Sequence, residues 1–137
     1  MKYVGIDSGV NTGIAVWCDT KKQFDKIETI MIHRAMAFLI DLASQGLIYV
    51  RVEDARQVKY NTSPEKAQGA GSVKRDAKIW EDFLKDYNIA FEMVRPRKAI
   101  TKLDSKTFKN MTKWDNPTNS HGRDAAMLVF NFKTFRK

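Results

Sequence analysis

Cysteine, proline and long apolar runs are scarce in this chain, and each scarcity excludes a class of protein. One residue of 137 is cysteine, Cys18, so there is no internal disulfide and no cysteine-based zinc site. A reducing setting is the expectation, either the cytoplasm or, for a viral protein, that of its host. The N-terminus agrees, because it enters a strand-like run containing Asp7 and lacks the basic, apolar and cleavage segments of a secretory signal. The longest unbroken apolar runs, Ala35 to Ile40 and Ala125 to Phe130, are six residues each, where a membrane helix needs roughly 20. No membrane partner is expected. With three prolines, seven glycines and 43% hydrophobic residues, the composition is that of a folded domain rather than a disordered tail. The length fits a single domain over residues 1–137.

Acidic residues are also few, 16 against 24 Lys and Arg, and the net charge is +8. The imbalance is local. Residues 1–54 carry six basic and seven acidic side chains, whereas residues 55–137 carry eighteen and nine. Arg95 to Lys113 alone holds seven basic residues against one acid, Asp104. A clustered excess of this kind is the footprint of a polyanion partner, because each cation that neutralises a phosphate releases condensed counterions. The ordinary alternative is a solvated basic surface that aids solubility.

Residues 3–7 and 13–18 read as two strands joined by the turn Ser8 to Thr12, and 27–32 as a third strand of a meander. Met36, Leu39, Ile40 and Ala43 fall at helical spacing over 34–44, with Gly46 as a C-cap. Leu47 to Glu53 is an apolar run closed by an acid. Residues 55–72 lack periodicity and contain Asn61, Ser63-Pro64 and two glycines, which predicts a mobile loop. Val73, Ala77, Trp80, Leu84 and Tyr87 define an amphipathic helix, with Lys74, Arg75, Lys78 and Lys85 off the seam. Its seam suits a core, an interface or both, and core is favoured. A strand over 89–94, a loop over 97–105, a short helix over 106–112 and a final helix over 120–132, capped by Asn119 or Ser120, complete the order βββ-α-β-α-β-α-α. The expectation is an α/β fold: a mixed five-stranded sheet flanked by helices.

Three acids stand where this order would bring them together. Asp7 ends the first strand, Glu53 the fourth, and Asp124 lies in the first turn of the last helix. They converge only if the first and fourth strands are neighbours and the last helix packs across them. Burying an unpaired charge is costly, and the physical use of convergent carboxylates is to hold hard divalent cations. His121, three residues before Asp124, shares its helix face. Singly, each residue also has an ordinary reading: Asp7 a turn acid, Glu53 a strand-end acid, His121 a helix N-terminal residue.

Gly5 to Gly13 (Gly-Ile-Asp-Ser-Gly-Val-Asn-Thr-Gly), the acid Glu53, Ala67-Gln-Gly-Ala-Gly71 leading into a helix, and Ser120-His-Gly-Arg-Asp-Ala-Ala126 together resemble the RuvC-type Holliday junction resolvases. The likeness runs from residue 3 to about 130 and is similar to the compact, phage-like members. It implies an RNase H-like fold and a homodimeric, Mg²⁺-dependent endonuclease with two ions per site, for which Mn²⁺ can substitute. Asp7, Glu53, His121 and Asp124 match the four metal-site positions of the family. Arg95 to Lys102 with Lys106 resembles the elements that lie against DNA, although Lys98 stands one place earlier after the proline. The DNA-contacting set implied is Arg56, Tyr60, Lys74, Arg75, Arg97, Lys98, Lys102, Lys106 and Lys109. Where the family places an aromatic that opens the junction centre, this chain has Arg56, with Tyr60 further on.

The reaction so implied is hydrolysis of a phosphodiester in four-way or branched DNA, giving symmetric nicks from a C₂ dimer. Three other classes compete. Residues 7–13 approximate a phosphate-cradling loop of two-lobed ATPases, but this chain has one lobe. A related nuclease acting on RNA would differ through contacts to the 2′-OH. A non-catalytic junction-binding module is the third, and three acids facing phosphates argue against it.

Overall fold

Alternating side chains along the first strand decide which way the whole sheet faces. The computed structural model describes residues 1–57, 64–96 and 102–134, with the backbone alone at 64–70. β1 (Lys2–Asp7), β2 (Asn11–Cys18) and β3 (Gln23–Met31) form the expected antiparallel meander. β4 (Ile48–Glu53) pairs parallel with β1, and β5 (Ala90–Val94) parallel with β4, giving the order β3-β2-β1-β4-β5. Parallel neighbours need crossovers, and α1 (Ile32–Gln45) and α2 (Pro64–Asp86) supply them. α3 (Ser105–Thr112) and α4 (Ser120–Met127) follow β5. The architecture is α/β, a mixed open five-stranded sheet with four helices among the described residues.

Side chains two apart share a sheet face. Val4, Ile6, Ile14, Val16, Val50 and Val52 therefore point one way, into a core shared with Leu39 of α1 and Trp80 and Leu84 of α2. Tyr3, Ala15 and Trp17 point the other way, onto Phe108 of α3 and Ala125 and Ala126 of α4. Burying each large apolar side chain contributes about 1.5–3 kcal/mol. That pattern fixes the register, because a one-residue slip would turn both cores outward. Asp7 and Glu53 have the parity of Tyr3 and Tyr49, so both belong to the α4 face.

Several expected boundaries move. The stretch read as a mobile loop over 55–72 contains a 3₁₀ turn at Ala55–Gln57, and helix from Pro64 onward. Proline suits a first helical position, where no N–H is needed, and Glu, Lys, Ala and Gln after it are good helix formers. Of the side chains described in α2, from Gly71 onward, the first buried one is Ala77. Tyr87, expected on the seam, lies past the helix end and is 54% exposed. β3 starts four residues early, since Phe24 packs in the α4-side core. α4 stops at Met127 instead of 132: Leu128 N–H donates to Ala125 O and Val129 N–H to Ala126 O, three residues back, and Asn131 is left-handed at φ 57°. Among the described residues no helix is long and apolar enough to cross a membrane.

Candidate active site

Ile6 of β1 pairs with Val52 of β4 in the parallel register. The next residues of the two strands, Asp7 and Glu53, are thus neighbours at one sheet edge, where the carboxyl ends of parallel strands commonly hold ligands.

The last helix reaches them because two strand positions beneath it, Gly5 and Gly13, carry no side chain. A Cβ on Gly5 would lie 2.9 Å from the Ala125 carbonyl carbon, and one on Gly13 would lie 2.5 Å from that of His121. Glycine at these two positions lets α4 backbone rest directly on β1 and β2. The start of the helix is fastened as well. Asn119 Oδ1 accepts from Gly122 N–H at 3.0 Å, capping the helix, and from Thr29 Oγ1 of β3 at 2.6 Å. His121 and Asp124, one turn apart, are held over the sheet edge.

His121 Nδ1 lies 3.0 Å from Asp7 Oδ2, and Lys102 Nζ donates to Asp124 Oδ2 at 2.7 Å. Glu53 has no side-chain partner among the described residues. Burial pushes the Asp7 carboxyl above its ordinary value; the His121 hydrogen bond works against this and the Asp124 charge adds to it. Glu53 is pushed up to about 7, first by burial and then by the charge of Asp7, with Lys102 opposing and Asp124 adding. Burial alone would lower the Lys102 ammonium, but its hydrogen bond to Asp124 and the charges of Asp124, Glu53 and Asp7 raise it.

Three carboxylates and an imidazole are an oxygen-rich donor set of the kind hard divalent cations prefer. Burial and mutual repulsion disfavour the charged forms of Asp7 and Glu53, and a cation placed among them would relieve both effects. As they stand, however, no three of these side chains close around one point among the described residues. Asp124 is turned to Lys102, and Asp7 to His121. A cleft of about 560 Å³ lined by Lys2, Asp25, Phe38 and Trp114 among others includes none of these acids.

The basic residues expected to contact DNA fall in different places. Lys102 is within the acidic cluster itself. Lys106 and Lys109 are exposed on α3. Lys74, half-buried, and Arg75, exposed, lie on α2. That helix has 23 residues, about 35 Å, against the six residues of β4, about 20 Å. Returning antiparallel to β4, it carries its N-terminal turns past the edge where Asp7 and Glu53 lie. Arg56 is taken up by acids: its guanidinium donates to Asp54 at 2.7 and 3.1 Å and to Glu81 at 3.0 Å. Asp54 is buried, which would raise its carboxyl, yet the hydrogen bonds from Arg56 and Gln57 hold it below the ordinary range. Tyr60, Arg97 and Lys98 lie outside the described residues.

Sequence reasoning missed this Asp54–Arg56–Glu81 bracket, which ties the end of β4 to α2. The only sequence signal was an acid directly after the strand-ending Glu53. No protein-family model matches the chain, and no curated protein matches it either.

Proposed function

We propose that this chain is a divalent-metal-dependent endonuclease of the RuvC type, with an RNase H-like fold, that resolves four-way or branched DNA. The observation that supports this best is the meeting of Asp7, Glu53, Asp124 and His121 at one sheet edge, from three separate elements. Two neighbouring parallel strands and a helix laid across glycines are an elaborate way to gather charges that burial penalises.

Asp7, Glu53 and Asp124 would hold Mg²⁺, with His121 beside Asp7 as a further ligand or proton carrier near neutral pH. Bound Mg²⁺ supplies activation of water and charge stabilisation at the phosphodiester. The residues of the chain do the rest. The Asn119 cap and the glycine contacts fix His121 and Asp124 against Asp7, and basic groups on α2, α3 and the segment before α3 hold phosphates, which sets position rather than sequence. Symmetric nicks in a two-fold substrate call for two copies of the site, hence a homodimer.

The test is cleavage of a synthetic four-way junction in Mg²⁺ by wild type and Asp7→Asn. Paired nicks that vanish in Asp7→Asn while junction binding persists are expected. Absence of cleavage of any branched DNA by wild type would overturn the reading, and preferential cutting of RNA would move the substrate assignment.

A further inference from the structure

Lys102 was expected to face DNA, yet its ammonium lies 2.7 Å from Asp124 Oδ2, inside the acidic cluster. Its other electrostatic partners are Glu53 and Asp7, the remaining acids of the site. A single cation thus attends all three carboxylates, and Asp124 gives it an oxygen that a metal ion would need. The side chain stays 40% exposed, so it has a route outward. Its chain position is equally telling. Two residues later Asp104 caps α3 by accepting from Thr107 N–H at 2.7 Å, and Arg123 of α4 donates to Leu103 O at 3.1 Å. The first bond fixes the start of α3 and the second ties Leu103 to α4, the helix that bears Asp124, so the residues just after Lys102 are anchored beside its partner.

We propose that Lys102 is the resident counter-cation of the metal-free site, that divalent metal competes with its ammonium for Asp124, and that the displaced ammonium then binds a phosphate of the DNA. This inference rests on the metal-dependent nuclease reading. It makes Lys102 a positioning residue with two alternating partners of the same charge sign, carboxylate and phosphate. In this exchange the ammonium leaves Asp124 as the stronger divalent charge arrives.

A side chain that merely supported metal ligands from outside would weaken metal binding when removed. A competitor does the opposite. Calorimetric titration of Mg²⁺ into the full chain without DNA is therefore decisive: Lys102→Gln should bind about tenfold more tightly than wild type, because both the competing partner and its repulsion of the metal are gone. Lys102→Arg, which keeps the charge, should restore wild-type affinity. A second readout follows the release. In Ca²⁺, the salt dependence of junction binding by wild type should steepen by about one phosphate contact relative to EDTA, and that of Lys102→Gln should not. Equal or weaker Mg²⁺ affinity in Lys102→Gln, or an unchanged wild-type slope, would overturn the exchange while leaving the nuclease reading standing. If wild type and Lys102→Gln both fail to bind Mg²⁺, the nuclease reading itself falls.

Discussion

Gly13→Ala should disable the candidate site without disturbing the far side of the sheet. A methyl group there would lie 2.5 Å from the His121 carbonyl carbon, closer still to its oxygen, and 3.2 Å from Asp7 Cβ. Carbon atoms in contact sit about 3.5–4 Å apart, so the first turn of α4 must retreat by about 1 Å. The obstacle is backbone, which cannot rotate aside as a side-chain tip can. Retreat also strains the 2.6 Å bond between Thr29 and Asn119. Overpacking of this kind costs about 1–3 kcal/mol, and a displacement near 1 Å in a catalytic constellation costs about 100-fold in rate. Single-turnover cleavage of a four-way junction and urea denaturation would measure the two effects separately. Gly71→Ala is the control: no atom lies within 4 Å of its added methyl, and alanine in a helix is favoured by up to about 1 kcal/mol. Wild-type stability and cleavage in Gly13→Ala would refute the claim that α4 is seated on bare backbone.

Glu53 should give the metal-free protein an unusual pH dependence. Its carboxyl is raised from 4.5 to about 7 on folding, so the folded state binds a proton more tightly and stability falls, rather than rises, as pH climbs through that window. With solvent screening allowed for, the loss is on the order of 1 to 2 kcal/mol, and Asp7 adds to it with the same sign. Urea midpoints should decline from pH 4.5 to 7 in wild type and flatten in Glu53→Gln or in saturating Mg²⁺; a rising wild-type curve relative to Glu53→Gln would contradict the environment described for this acid. Arg56→Ala should act on stability. It leaves Asp54 buried without its two-pronged partner, a loss of about 2 kcal/mol or more, and a variant as stable as wild type but markedly weaker on junction DNA would show Arg56 to be a DNA contact instead.

Period and order carried the strand count, the meander and the layered α/β class, because each core strand alternates and each core helix repeats at three and four. What they could not carry was pairing. The neighbourhood of β1 and β4 is a non-local choice, and only once it is made do Asp7 and Glu53 become adjacent. The early turns of α2 were invisible for a different reason: their sequence shows no apolar period, and the glycines there read as loop. Lys102 was legible as a cation but not as a partner of Asp124, since a run of like charges does not reveal which member turns inward.

The charge asymmetry of the chain acquires a physical meaning from this geometry. Glu53 closes the neutral first part, and the basic excess begins just after it. The structure pairs one member of that excess, Lys102, with Asp124 at the edge where the acids of the first part lie. Several departures from local rules gather at this edge: acids under burial, glycine where a strand would favour a side chain, and a lysine paired with Asp124. Such a gathering is where function is to be sought. Burial of Asp7 and Glu53 costs stability, so on the proposed reading Mg²⁺ should stabilise the fold, and should do so less when Asp7 or Asp124 is neutralised by substitution to asparagine.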